Sequence, residues 1–426
     1  MIFYYFILLF SAMPNHPWMG DQVGGFTFIK FVGLACMFYA VARIFSRGVV
    51  PPFFRTWPAR LFVALILLAF ISYAFTGSLA YLTGGPFMIY LSCLLLFFVT
   101  LALIDSPQRL RSAVLSLIAA LGVASLYTLR EFQANGFAAG YRPGYVVGDA
   151  NFFSGAALLA IPLAYYLVGA KGPRWERIFC LVCLLTTVLA LIVGASRGGF
   201  YGLCLCVIYI VFNSNRKLPA FGLLLLLLPL LFLMPSSPIK RILSPNYSDI
   251  TATENRKALW KAGFGLIEEH PLTGIGLGNY KSAMASRSVL GYDTGGMAHN
   301  TYIEYAAELG VLGLLLYLGI LISAYRLLGR IRAKARDPQD LFYCISTGMQ
   351  AGLLGFAGAA FTFSAEYEKP FWIVVSLLAC MSAMERNLAQ PTPVHLHGVT
   401  TAKKEKAEVE VLISARNNST KREKFA

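Results

Sequence analysis

The sequence predicts an all-α, polytopic integral membrane protein with about 12 transmembrane helices and one large loop, and three observations carry that prediction. Of the 426 residues, 57% are hydrophobic and only 13% charged, about half the charge of a soluble domain, so the chain lacks the polar surface to cover itself in water. Its apolar residues form sustained runs near the roughly 20 residues that cross a bilayer, without the period-two alternation of an outer-membrane barrel. Its basic residues concentrate in alternate connections between those runs. A single large soluble enzyme domain is excluded. The net charge of +15 leaves three partners open: nucleic acid, an anionic membrane surface or an anionic substrate.

Taken in order, the runs predict spans at 2–13, 26–45, 60–75, 85–104, 110–130, 151–169, 177–195, 198–213, 218–234, 301–325, 341–363 and 369–384. The first is short: about 12 residues at 1.5 Å each cover about 18 Å of a roughly 30 Å core, which suits a re-entrant piece or a truncated start. Arg43, Arg47, Arg55 and Arg60 follow the second span, Arg109 and Arg111 the fourth, and Lys171, Arg174 and Arg177 the sixth. Arg216 and Lys217 follow the eighth, and Arg326, Arg330, Arg332, Lys334 and Arg336 the tenth. With the eight in the tail after 385, these make 24 of the 36 Lys and Arg residues, so the positive-inside rule puts that side and both termini in the cytoplasm. Four of the five tryptophans, Trp18, Trp57, Trp175 and Trp372, fall at or near predicted span ends, where an amphipathic ring prefers to sit, and Trp260 lies in the large loop. The eight cysteines lie inside spans, and Cys180-x-x-Cys183, with no second ligand pair, reads as small apolar helix residues.

The resulting organisation is 1–234 with nine spans, a 235–300 loop, 301–384 with three spans, and a polar tail, 385–426, without hydrophobic pattern. Two connections stand out on the side opposite the cations: 131–150, rich in glycine and aromatics, and 235–300, large enough to fold. Within the latter, Thr251-x-x-Glu254 reads as a capping box opening a helix through about 269, ended by Pro271. Trp260, Phe264 and Ile267 share a face of that helix while Arg256, Lys257 and Lys261 occupy others, a pattern suited to lying along a membrane surface.

Charge inside a bilayer is costly and marks function. The third to ninth spans carry none in their interiors; ionisable groups gather at outward ends, at Arg197, Glu304, Glu308, Glu366, Glu368 and Lys369. A site at the outer mouth fits this pattern better than a midplane transport path. Ser196-Arg197-Gly198-Gly199 joins two apolar helices, and its arginine suits either a bidentate anion grip beside closely approached backbone or snorkelling to lipid phosphate. Asn255-Arg256 offers a second arginine, on a helix that equally suits a lipid-surface anchor. Gly274-x-Gly276-x-Gly278 has no preceding strand, so it reads as a tight turn packing the loop on the membrane domain rather than a dinucleotide fingerprint. In His299-Asn300-Thr301-Tyr302-Ile303-Glu304, Asn300 or Thr301 caps the next helix and Thr301-x-x-Glu304 fits a capping box, so the imidazole stands at a rigid helix entrance. Histidine is suited to take a proton near neutral pH; an interfacial histidine or a partner for Glu304 fits the same residues. No histidine pair has metal-ligand spacing, and no Gly-x-Ser-x-Gly elbow or nucleotide loop is present.

Several of these segments together resemble the bacterial O-antigen ligase family, whose superfamily includes O-antigen polymerases and protein O-oligosaccharyltransferases. His299-Asn300, nine residues and then Gly310-x-x-Gly313 is similar to the family's signature, and Ser196-Arg197-Gly198-Gly199 to its arginine motif. Asn255-Arg256 through Trp260, His270-Pro271-Leu272 and Gly274-x-Gly276-x-Gly278-Asn279 resemble the loop before the signature histidine. Gly148-Asp149-Ala150-Asn151 resembles an Asp-Pro-Asn element, with Ala150 in place of proline. The likeness runs from about 148 to 384. It implies a glycosyltransferase of GT-C-like architecture, metal-independent and without cofactor, in the bacterial inner membrane with its active site facing the periplasm. The implied donor is a glycan on undecaprenyl diphosphate, the acceptor a lipid A core or another glycan, and the surrounding partners membrane lipids, with no nucleic acid. His299 is then the general base, and Arg197, Arg256, Asn300, Gly198 and Gly199 the substrate-binding set. A polymerase using the same donor is the alternative within the family, a protein O-oligosaccharyltransferase fits the short tail less well, and a polysaccharide or lipid transporter is the alternative from another class.

Overall fold

The computed structural model describes residues 5, 22–23, 26–47, 53–75, 85–135, 143, 150–214, 238–245, 247–289, 296–335, 337–365 and 368–389. The expected span 218–234 and all of 2–13 except Tyr5 lie outside them, as does the tail beyond 389. A compact unit runs from Met1 to Met384, and a second, from Glu385, is described only in its first helical residues.

After a two-residue antiparallel pair, Gln22–Val23 with Phe26–Thr27, the described chain is helical. The helices are α1 (Phe28–Arg47), α2 (Trp57–Phe75), α3 (Pro86–Leu103), α4 (Pro107–Asn135), α5 (Ala150–Val168), α6 (Arg174–Val193) and α7 (Arg197–Asn213). In the loop come α8 (Pro238–Leu243), α9 (Tyr247–Glu269) and α10 (Tyr280–Ser286), followed by α11 (Thr301–Lys334), α12 (Leu341–Ala359) and α13 (Lys369–Ala389). Seven of them, α2 to α6, α11 and α12, are long and apolar enough to cross a membrane, and Phe31–Ser46 and α7 are shorter apolar helices. The chain is a polytopic helical membrane protein. Its outer faces carry large exposed apolar side chains such as Phe38, Phe45, Phe75 and Phe212, the surface that lipid covers.

The bundle is built on α5, which packs against α6, α7 and α12, while α11 packs on α2 and α12 and α4 on α6. Pro162 interrupts α5, leaving the Leu158 carbonyl without its helical donor; the Cys206 thiol approaches that carbonyl at 3.9 Å and donates to Ala351 O at 3.4 Å. Phe371 and Trp372 of the buried α13 join an aromatic core, Phe371 stacking on Phe356 and Trp372 on Phe62. The cysteines are free, and Cys183 fills the space beside Gly122, where a Cβ would lie 2.7 Å from its sulfur.

Among the described residues, the connections after the second, fourth, sixth and tenth predicted spans, which charge assigned to one side, meet at one end of the bundle. Arg43 donates to the terminal carbonyls of α3, Ala102 O at 2.7 Å and Leu103 O at 3.4 Å, and pairs with Asp105, which also takes Arg109 at 2.9 Å. Arg111 pairs with Glu176 at 2.8 Å and Lys171 with Asp337 at 2.6 Å, tying α4 to α6 and the α5–α6 turn to the α11–α12 turn. Helix C-termini leave carbonyls without intrahelical donors, and arginine supplies them.

At the opposite end the loop folds into a small core of its own: Leu259, Leu266, Tyr280, Met284 and Ala298 pack with Ile303 and Ala307 at the start of α11. This differs from the expected membrane-surface helix. The apolar side of α9 is spent on protein, and of the expected stripe only Phe264 is exposed, with Trp260 and Ile267 partly buried against the loop core.

Candidate functional site

At the α6–α7 junction Ala195 takes a left-handed conformation (φ 49°) that turns the chain sharply between the helices. Ser196 caps α7: its Oγ accepts from Gly199 N at 3.1 Å and donates to Asn151 Oδ1 at 2.8 Å, which fastens the junction to the start of α5. Arg197 is thereby fixed as the first residue of α7. The close approach permitted by the next two glycines is taken by protein rather than left for a ligand. A Cβ on Gly198 would meet Thr362 Oγ1 at 1.7 Å, and one on Gly199 would meet Ser154 at 2.6 Å. Both act by letting α7 seat closely enough to aim Arg197.

The guanidinium donates to Thr253 Oγ1 at 3.3 Å, and Thr253 in turn donates to Asp249 O at 2.8 Å. Arg197 lines a cleft of about 290 Å³ with Tyr201, Ile242, Pro245, Asp249, Ile250, Thr253 and Glu254. Two carboxylates therefore share the cleft with the arginine, and one of them, Glu254, also takes Lys257 at 2.8 Å. The lining offers hydroxyls and carboxylates suited to sugar hydroxyls alongside a cation suited to a phosphate oxygen.

Helix α9 begins at Tyr247, not at Thr251, and Thr251 does not cap it; its hydroxyl donates back to Tyr247 O at 2.9 Å. The early start sets a stripe. Asp249, Thr253, Arg256, Trp260 and Gly263 follow one another at helical spacings of three and four, so they stand on one face. Arg256 accordingly shares a face with Trp260, contrary to the assignment from sequence. Thr253 touches Arg197, and the Trp260 indole N–H donates to Ala298 O at 2.6 Å, one residue from His299. The half-buried Arg256 lies between those two contacts.

His299 stands on a clamped backbone. Besides the Trp260 bond to its carbonyl, Ala298 donates its N–H to Glu304 Oε1 at 2.7 Å, and that oxygen also accepts from Ser364 Oγ at 2.8 Å. Glu304 is 1% exposed. On the other side, Asn300 caps α11 by accepting from Tyr302 N at 3.1 Å and Ile303 N at 3.2 Å. Thr301 is locked to the turn after α12, its N–H on Ala360 O, its hydroxyl donating to Phe363 O at 2.8 Å and accepting from Ala365 N at 2.8 Å. The expected Thr301–Glu304 capping box is thus replaced: Asn300 caps, and Glu304 reaches past the cap to Ala298. His299 itself is left-handed (φ 49°), a conformation uncommon for a side-chain-bearing residue, held by partners on both sides.

The glycines of the two remaining motifs meet each other. Gly310 (φ 70°, ψ −179°) breaks α11, and the break exposes backbone groups that the loop uses. Ile275 N donates to Ala307 O and Gly276 N to Glu308 O, both at 2.9 Å, and Val311 N donates to Pro271 O at 2.8 Å. A Cβ at Gly274 (φ 64°) would lie 2.2 Å from Glu308 O and one at Gly310 2.3 Å from Leu272 O, so both positions need glycine for conformation and for contact. Glu308, buried, takes Tyr280 N at 3.1 Å, and Tyr280 OH donates to Leu259 O at 2.7 Å. The loop is hydrogen-bonded into the broken helix, which keeps α9 in place against His299. Gly148 and Asp149 lie outside the described residues, whereas Asn151 holds Ser196 as above. Sequence reading missed Thr253 and Ser364 and gave Trp260 and Glu304 other partners; the 253/256/260 spacing was the one signal available for Thr253 and Trp260.

A helical membrane protein carrying a clamped histidine and an arginine-lined cleft under a folded loop, at the bundle end opposite the ion-paired turns, is the class that fold and site define. Residues 181–318, which contain Arg197, Arg256, His299 and Gly310-x-x-Gly313, match the family model described as O-antigen ligase. The exopolysaccharide production protein ExoQ of Rhizobium meliloti (strain 1021) is similar at 26% identity over 220 residues, 48% of this chain and 49% of that relative. Over this segment the chain is similar to the O-antigen ligase family, and its match spans about half the length of the curated relative.

Proposed function

We propose that the protein is a glycosyltransferase that moves a glycan from undecaprenyl diphosphate to an acceptor hydroxyl, a lipid A core in the O-antigen ligase manner, at the periplasmic face of the bacterial inner membrane. The observation that carries the reading is the α9 stripe, which links Arg197 through Thr253, past Arg256, to the clamped backbone of His299. In this reaction the acceptor oxygen attacks the anomeric carbon, its proton passes to the His299 imidazole, and the bond from that carbon to the diphosphate oxygen breaks with inversion. The electron pair leaves on the lipid diphosphate, whose growing charge Arg197 and Arg256 stabilise. Tyr201, Asp249 and Thr253 suit the sugar hydroxyls, and Asn300 serves by fixing the helix entrance. The diphosphate ester already holds the free energy of transfer, so no nucleotide enters the step. General base catalysis supplies about 10²–10⁴-fold, and positioning and arginine electrostatics supply the remainder.

A second reading, polymerisation with a lipid-linked glycan as acceptor, is favoured by the relative named for exopolysaccharide production. The test is a proteoliposome assay with labelled lipid-linked glycan, with and without lipid A core. A product on the core supports ligation, and lengthened lipid-linked glycan without core supports polymerisation. Movement of donor across a sealed bilayer with no new glycosidic bond would sink both in favour of a transporter.

A further inference from the structure

At the bundle end opposite His299, one arginine is built differently from the ion-paired cations around it. Arg332 is part-buried near the end of α11, and its Nη1 donates to Tyr209 OH at 2.7 Å and to Asn213 Oδ1 at 3.0 Å. Those acceptors are themselves fixed, since Tyr209 OH donates to Gln350 Oε1 at 2.7 Å, Gln350 Nε2 to Tyr325 O at 3.0 Å, and Asn213 Nδ2 to Tyr209 O at 3.1 Å. Three helices, α7, α11 and α12, thus lock the guanidinium by one nitrogen. Its two Nη1 protons are engaged, whereas Nε and Nη2, the edge that matches two oxygens of one oxyanion, have no acceptor among the described residues.

The two carboxylates of the turn that follows Arg332, between α11 and α12, are committed elsewhere. Asp337 takes Lys171, Asp340 caps α12 by accepting from Phe342 N, and the segment 215–237 that follows Asn213 and Ser214 contains no Asp or Glu. Tyr166 adds a further polar group: it is 6% exposed, its hydroxyl has no hydrogen-bond partner among the described residues, and it lies within electrostatic reach of Tyr209, Tyr343 and Arg332. From the break at Gly310 to Arg332 is 22 helical residues, about 33 Å at 1.5 Å each, close to the roughly 30 Å hydrocarbon thickness. Arg332 therefore stands at headgroup depth, and Ile208 and Phe212, next in sequence to the Tyr209 and Asn213 that hold it, present exposed apolar side chains where an acyl chain would lie.

We propose that Arg332, held by Tyr209 and Asn213, is a binding site for the phosphate of an anionic membrane phospholipid, which it takes through its open Nε/Nη2 edge. A snorkelling arginine would point to the headgroups without a fixed orientation; this one has its fork preset by neutral neighbours and so discriminates by geometry as well as charge.

The test uses the full-length protein in mixed micelles of phosphatidylglycerol and phosphatidylethanolamine, with bound lipid counted by native mass spectrometry. The expected result is retained phosphatidylglycerol in preference to phosphatidylethanolamine, weakened about tenfold or more in Arg332→Gln, as for a lost charge-assisted fork. Tyr209→Phe, which loosens the guanidinium without removing its charge, gives a smaller loss and keeps the test valid should Arg332→Gln fail to fold. Arg330→Gln, an exposed neighbour, leaves binding unchanged. Equal retention in wild type and Arg332→Gln, or an equal loss in Arg330→Gln, overturns the proposal. Displacement of the lipid by excess inorganic phosphate overturns the lipid assignment in favour of a free oxyanion.

Discussion

The two ends of the bundle use the same side chains for opposite purposes. At the end of the charged turns, cations and carboxylates meet each other: Arg43 and Arg109 on Asp105, Arg111 on Glu176, Lys171 on Asp337. At the histidine end, the buried carboxylates Glu304 and Glu308 are hydrogen-bonded to backbone N–H groups of the loop, and Arg197 is held by a hydroxyl. Ion pairs do occur there, Glu254 with Lys257 and Glu269 with Arg287, but on exposed side chains. An arginine neutralised in a salt bridge stabilises the fold and has little left for a substrate. One held by a neutral neighbour keeps its charge for an anion. The difference separates cations that staple from cations available to bind.

The largest effect expected from this division is at His299. His299→Ala should lower transfer by about 10²–10⁴-fold while donor still binds, read in single-turnover and donor-binding measurements; transfer at the wild-type rate would remove it as base. Arg197→Ala follows, with donor KM raised on the order of tenfold or more and acceptor KM unchanged; unaltered donor kinetics would mean that the neutral-held arginine is only structural. Glu304 acts as a positioning residue. Glu304→Ala should lower kcat about tenfold with little change in KM, and Glu304→Gln, which keeps the accepting oxygen for Ala298 and Ser364, should restore most of it. A shared loss in both variants would mean that charge, not the clamp, matters.

Arg111→Ala probes the other end and should cost roughly 1–3 kcal/mol in unfolding, because it leaves the largely buried Glu176 without its cation, while kinetic constants per folded molecule stay unchanged. The smallest effect is the pH response of the Glu269–Arg287 clasp. The hydrogen bond from Arg287 holds the Glu269 carboxyl below its ordinary range. A carboxylate lowered in the folded state contributes stability that is complete above the unfolded value, about 4.3, and is lost as pH falls through the folded one. The contribution should therefore be flat at neutral pH and fade only in acid, with Glu269→Gln reducing the acid slope of thermal unfolding by that share. A slope near pH 7 would contradict this assignment.

The membrane class and, among the described residues, the helices at the apolar runs and the grouping of charged turns at one end were legible in the sequence, because a bilayer imposes length and hydropathy on each segment independently of its neighbours. The His299-Asn300 helix entrance was legible too, since an N-cap is a local device. Other features were not. Helix α9 starts at Tyr247 rather than Thr251, which adds Asp249 to the face of Thr253, Arg256 and Trp260; what that face packs on, Arg197 and Ala298, is remote in sequence. Gly198 and Gly199 read as room for a ligand, yet Thr362 and Ser154, remote in sequence, fill it.

By itself, the sequence determined that this chain is a helical membrane protein and where, among the described residues, its long apolar helices run, because hydropathy is additive along the chain. Only the tertiary structure decided that α11 breaks at Gly310, that the loop's backbone completes the break, and that Glu304 and Trp260 clamp the peptide before His299. Those contacts join residues up to 60 positions apart, and a hydrogen bond between distant backbone groups leaves no local trace in composition or periodicity.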